Sequence, residues 1–236
     1  MRAAIALLAL LVGACSAAPK APAKQDWHLL TGLPLFMGAG DVQSVLNGQA
    51  GQAPLLTHLS QGRKMIPIDT LTATHLRTVH YLLAVQPRVM PPEDLVAFDA
   101  WVRGGGQAVI LADPDLVWPT DYAMGDPRTP PASTLLDPLF AHWGFKLLGM
   151  RGQPRAVSAM LGDYPATLMN PGHWVSQSKE CNVEDGGVTI VCTLGKGRVI
   201  LLADADIGDA RLLVGNVAKN LAAIDSLLTR LEKPER

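Results

Sequence analysis

Between Tyr81 and Ala112 the chain reads strand, helix, strand, and that order limits the folds open to it. Tyr81-Leu82-Leu83-Ala84-Val85 is a continuous apolar run ending at Gln86-Pro87, and Gln107-Ala108-Val109-Ile110-Leu111-Ala112 is a second, ending at Asp113-Pro114-Asp115. Strands that are apolar on both faces suit a parallel sheet covered by helices on both sides. Between the runs, Pro91-Pro92-Glu93-Asp94 brings prolines that fit a first helical turn and acids that complement its positive end. Leu95, Phe98, Trp101 and Val102 then recur at spacings of three and four, and Gly104-Gly105-Gly106 ends the helix. The segment predicts a right-handed βαβ unit.

With 236 residues, 48% hydrophobic and 17% charged, the chain is too apolar for disorder and long enough for one well-filled core. Upstream, Trp27-His28-Leu29-Leu30 predicts a first strand running into the Thr31-Gly32-Leu33-Pro34 loop. Residues 35–51, rich in glycine and small side chains, take no assignment. Residues 54–59 carry helical spacing, 64–68 read as a short strand and 73–77 as one helical turn. Downstream, 116–133 is a long loop, of the kind that more often serves function than fills space. Residues 135–143 predict a short helix stopped by Gly144, and 145–194 short strands and turns, including Asn170-Pro171-Gly172-His173-Trp174. Gly195-Lys196-Gly197-Arg198 is a tight turn into Val199-Ile200-Leu201-Leu202-Ala203, which ends at Asp204-Ala205-Asp206. A last helix is expected over 210–231, with Leu213, Val217, Leu221, Ile224 and Leu228 on one side. The expected fold is α/β, three-layered and flavodoxin-like, with a mostly parallel sheet and a β-hairpin-rich insertion around 150–194. The domain is expected over 27–232.

The N-terminus bears on the compartment. Met1-Arg2 precedes ten apolar residues, and Val12-Gly13-Ala14-Cys15 closes the run, which is the pattern of a secretory signal. The run is about half of the ~20 residues that cross a bilayer as a helix. It resembles a bacterial lipoprotein signal, which implies removal of 1–14, lipidation of Cys15 and a membrane partner through that anchor. Ordinary cleavage near residues 14–18 is the alternative, and both take the protein out of the cytoplasm. Residues 15–26, rich in Ala, Pro and Lys, read as a tether. Ser16 after the cysteine, by resemblance to sorted lipoproteins, favours the outer membrane. Cys181 and Cys192 then remain in a compartment where disulfides persist. A turn signal at 182–187 and the β-branched run 188–191 place them on a hairpin, where a disulfide is worth about 2–3 kcal/mol.

With 20 Lys+Arg against 21 Asp+Glu, nothing draws the chain toward nucleic-acid phosphates. Candidate site residues sit where strands end: Thr31, Gln86, Asp113, Asp115, Asp204 and Asp206. In an open parallel sheet these ends share the edge where ligands bind. The acids suit a cation, sugar or other polar ligand; equally, aspartate favours strand-to-loop turns because its side chain bonds nearby backbone N–H groups. The six histidines are scattered without metal-ligand spacing, and His173, beside Trp174, is the one candidate among them. No Gly-x-Ser-x-Gly elbow, phosphate loop or dinucleotide fingerprint occurs, so no cofactor is expected.

Taken together, "PPEDLVAFDAWVRGGG", "QAVILADPD" and "GKGRVILLADADI" before an Asn-bearing helix resemble the class I glutamine amidotransferase-like domain. The nearest resemblance is to extracytoplasmic GldG-type domains of ABC-transport accessory proteins. Catalytic members carry a nucleophilic cysteine after the strand matched by 109–112; here Asp113 or Pro114 stands there. The resemblance therefore implies a degenerate, non-catalytic domain that binds a ligand, an envelope protein or a transporter. The alternative is a metal-dependent hydrolase using the strand-end aspartates.

Overall fold

The computed structural model describes residues 24–36, 53–120, 122, 123, 125–150, 152–212 and 214–233. The expected signal 1–14, Cys15, nearly all of the tether 15–26 and most of the unassigned stretch 35–51 lie outside the described residues, as does Leu213. The described elements are β1 (Gln25–Thr31), α1 (Pro54–Gly62), β2 (Arg63–Pro67), α2 (Ala73–Leu76), β3 (Tyr81–Val85), α3 (Pro92–Arg103) and β4 (Gln107–Leu111). They continue with α4 (Asp137–His142), β5 (Phe145–Leu148), β6 (Ala156–Leu161), β7 (Tyr164–Met169), β8 (His173–Ser176), β9 (Cys181–Glu184), β10 (Thr189–Leu194), β11 (Gly197–Leu202) and α5 (Val217–Glu232).

Seven strands form one sheet in the order β2-β1-β3-β4-β11-β10-β9. The first five are mutually parallel, and β10 and β9 extend the sheet antiparallel. Alternation along the central strands explains their unbroken apolar sequence, because each strand feeds two cores. Leu83, Val85, Val109, Leu111, Ile200 and Leu202 join α1 and α5 on one face. Leu82, Ala84, Ala108, Ile110, Val199 and Leu201 join α2, α3 and α4 on the other. The result is the expected three-layer, mostly parallel α/β fold. Among the described residues no helix is long and apolar enough to cross a membrane.

Two expectations need correction. The last helix begins at Val217 rather than residue 210, because Gly215 takes a left-handed φ of 86° and breaks helical geometry just before the N-cap Asn216. The hairpin carrying the cysteines also lies outside the insertion: β9 and β10 belong to the main sheet. Cys181 and Cys192 are directly opposite across it, Cα to Cα 4.0 Å, and disulfide-bonded. The insertion proper comprises the β6–β7 hairpin and the small β5–β8 sheet.

At the amino end of β2, Arg63 is buried and ties this edge strand to α5. Its guanidinium donates to Asp225 Oδ1, to both oxygens of Glu232 and to Thr229 Oγ1, while Trp27 Nε1 donates to Glu232 at 2.7 Å.

Candidate functional site

The strand-end acids meet at the carboxyl edge of the sheet, but they turn inward. Asp113, Asp204 and Asp206 are each 0% exposed. Asp113, just past β4, accepts the backbone N–H of Asp115 at 2.8 Å and of Ala205 at 3.0 Å. Asp204, just past β11, accepts from Met169 and Ile207, each at 2.6 Å. Asp206 Oδ2 accepts from Val117 at 2.7 Å, and its Oδ1, also buried, has no hydrogen-bond partner among the described residues. The three acids thereby fasten the start of the long loop after β4, the end of β7 and the turn before α5 to one another.

Burial is the main cause of the electrostatics here. It pushes Asp113 up to about 6, with the neighbouring charge of Asp115 adding to it against the lowering effect of the donated amides. Asp206 is pushed up to about 8 by burial first and then by Asp113, Asp209 and Asp115. Asp204 is held well above the ordinary carboxylate value by burial and by the charges of Asp113 and Asp206. The charged neighbours that raise these acids are other acids. Arg211 engages Asp209 through Nε and Nη2 and donates to Pro119 O, with its guanidinium 5.6 Å from the Trp118 ring. At neutral pH the cluster therefore retains protons.

The other expected site residues divide. Asp115 is exposed and joins the rim, accepting from Asn170 Nδ2 at 2.6 Å. Gln86 belongs to the same edge, where it braces the backbone. Fully buried, with φ 40°, it donates through Nε2 to the carbonyls of Asp113 and Pro131 and accepts the Asp113 N–H at 2.9 Å. Gly32 packs so closely on the Gln86 carbonyl that a Cβ there would collide with it. Thr31 lies apart, closing a local turn on the Leu33 N–H at 2.9 Å and lining a separate cavity of about 230 Å³ at the ends of β1 and β2. His173 opens β8, is exposed and packs its ring on Gly187. Among the described residues no three His, Cys, Asp or Glu side chains are placed to hold a metal ion.

Asn220 is not among the site residues expected from sequence. Fully buried on α5, it pairs with both backbone groups of Thr167 and donates to Ile207 O, completing the strapping of β7. Its one signal is a polar residue in the middle of an apolar helical stripe.

No protein-family model matches the chain, and no curated protein matches it. The mmIFT52 N-terminal domain superposes with a TM-score of 0.57 over 90% of this chain and 99% of that domain, at 10% identity. A putative ThuA-like protein from Bacteroides uniformis superposes at 0.48, with 11% identity over 89% of this chain and 94% of that one. A β-galactosidase from Rahnella sp. R3 also reaches 0.48, at 12% identity, but the chain covers 32% of that enzyme's length. At such identities the likeness is one of fold alone.

Proposed function

We propose that the chain is a non-catalytic recognition domain of the bacterial cell envelope, tethered by a lipid on Cys15. In this reading a degenerate glutamine amidotransferase-like scaffold of the GldG-type binds a ligand or protein partner on the periplasmic side, as an accessory to ABC transport. One observation carries it. Of the six carboxylate oxygens on Asp113, Asp204 and Asp206, five accept backbone N–H groups of their own chain. Acids used to anchor loops are not presented to a substrate. Asp113, at the position that would hold a nucleophilic cysteine, is one of these anchors. The Cys181–Cys192 disulfide supports an oxidising compartment.

The rival, a metal-dependent hydrolase, requires these oxygens to leave their amides for a cation. Calorimetric titration of the full chain with calcium, magnesium, manganese and zinc separates the two. The expected outcome is no heat of binding and no thermal shift with any of them. Saturable binding that disappears in Asp206→Asn would replace the recognition reading with the hydrolase.

A further inference from the structure

The formal charge of −1 conceals a division along the strands of the main sheet. The five parallel strands begin at one edge, the amino edge, and α1, α2, α3 and α5 end there. Lys24 stands just before β1, Lys64 near the start of β2, Arg77 between α2 and β3, Arg103 at the end of α3, Lys196 in the turn into β11 and Lys233 just past α5. All but the half-buried Arg103 are exposed. The Lys196 N–H donates to the Arg103 carbonyl at 3.0 Å, and Glu232, next to Lys233, accepts from Trp27 and Arg63, so both ends of the row belong to one face. Among the described acids of this edge, Asp99 is taken up by Arg103, and Asp225 and Glu232 by Arg63; Asp26, 3.9 Å from Lys64, and Glu180 remain exposed. The opposite edge carries the buried aspartates and the exposed Asp69, Asp115 and Asp137, while Arg128 and Arg211 there are each paired with an aspartate. Complementing the helix dipole accounts for bases at helix carboxyl ends, and Lys24 donates to the Ser60 carbonyl in the last turn of α1 at 2.7 Å. Lys64 and Lys196 lie on no helix, and Arg77, Lys196 and Lys233 form no ion pair among the described residues.

We propose that the amino edge is a membrane-facing surface that lies against anionic phospholipid headgroups. The proposal rests on the tethered reading for its geometry: β1 begins at this edge, and the stretch from Cys15 to Lys24 reaches about 30 Å at full extension, so an anchor on Cys15 holds this edge nearest the bilayer. At that reach the edge meets the lipid at high effective concentration. Screening confines the attraction to about 8 Å at physiological salt, and a Lys or Arg that close to an anionic surface strengthens binding about fivefold. In this orientation the carboxyl edge, whose acids an anionic surface repels, points away from the bilayer.

Flotation of the full chain with vesicles of phosphatidylcholine, alone or mixed with phosphatidylglycerol, tests it, with circular dichroism confirming folding of each variant. Partition on the neutral vesicles reports the anchor, and failure of Cys15→Ala to lower it would count against the tethered reading alone. The gain on adding phosphatidylglycerol reports the edge and is read in Cys15→Ala whether or not the anchor is real. That gain is expected to be roughly tenfold or more at about 0.15 M salt and to vanish near about 0.5 M. Lys196→Gln should reduce it about threefold to fivefold, and Arg77→Gln, Lys196→Gln and Lys233→Gln together should abolish it. Lys219→Gln removes an exposed charge at the start of α5, on the carboxyl edge, and should leave it unchanged. Equal partition on the two kinds of vesicle overturns the proposal. A gain that survives the triple substitution, or that Lys196→Gln and Lys219→Gln reduce alike, overturns it as well.

Discussion

Arg63 at the amino end of β2 and the three aspartates beyond β4 and β11 are all buried titratable groups, yet they are handled by different physics. Arg63 lies among its counter-ions: burial disfavours its charge, but hydrogen bonds to Glu232 and Asp225 outweigh that and raise its pKa. Those acids are 24% and 38% exposed on their side chains, so solvent shares the load. The aspartates have backbone amides for partners and other acids for charged neighbours. A charge with a counter-ion holds two elements together at any ordinary pH. Acids without one are favoured in the protonated form, so this edge of the molecule is sensitive to pH.

The largest effect expected from breaking this contrast is at Arg63. Arg63→Leu removes the tie between β2 and α5 and leaves Glu232 with the Trp27 indole as its remaining partner. It should cost about 2–4 kcal/mol, at the lower end for a buried pair because the abandoned acids can rehydrate. Urea unfolding at pH 7 measures it. A loss below about 0.5 kcal/mol, the scale of surface pairs, would reduce the clamp to surface decoration.

The aspartate cluster predicts the opposite sign. These carboxyls hold protons more tightly in the folded chain than in the unfolded one, where the ordinary value is 3.8. Folding therefore takes up protons between that value and the raised ones, about 6 for Asp113 and about 8 for Asp206. Their contribution to stability is complete below the ordinary carboxyl pKa and is lost as pH rises through that window. Asp206→Asn keeps an acceptor for the Val117 N–H and cannot ionise. It should match the parent only near the ordinary carboxyl value and exceed it by a margin that grows with pH, reaching about 1–3 kcal/mol at pH 8.5, read from urea midpoints. Parallel pH profiles for parent and variant would show that Asp206 does not carry the proton.

These two clusters also mark how far sequence reading reaches. The β3-α3-β4 unit was legible because its signals are local: apolar runs, Pro-Pro-Glu-Asp and three glycines within one stretch. The convergence of Asp113, Asp204 and Asp206 was legible too, since parallel strands bring their carboxyl ends to one edge. Their inward direction was not. Asp204 reaches Met169 and Asp206 reaches Val117, and which amide lies within range is a property of loop packing that no spacing encodes. An aspartate after a strand reads alike as ligand or as anchor. Arg63 gave no signal, because its partners Asp225 and Glu232 stand 162 and 169 residues away. The start of α5 was misread for the reverse reason: apolar residues before Gly215 continue the helical pattern that the backbone then breaks.

The smallest effect sharpens the comparison most, because it repeats the same chemistry at the other cluster. Asp225→Asn exchanges a carboxylate for an amide, as Asp206→Asn does, but beside a cation. It should destabilise by about 0.5–1 kcal/mol, discounted for the exposure of Asp225, and the loss should shrink in high salt. Arg63 keeps Glu232 and Thr229, so no buried charge is stranded. At pH 8.5 the two substitutions should then move stability in opposite directions. If both moved it the same way, loss or gain of local packing would explain them better than the presence or absence of a counter-ion.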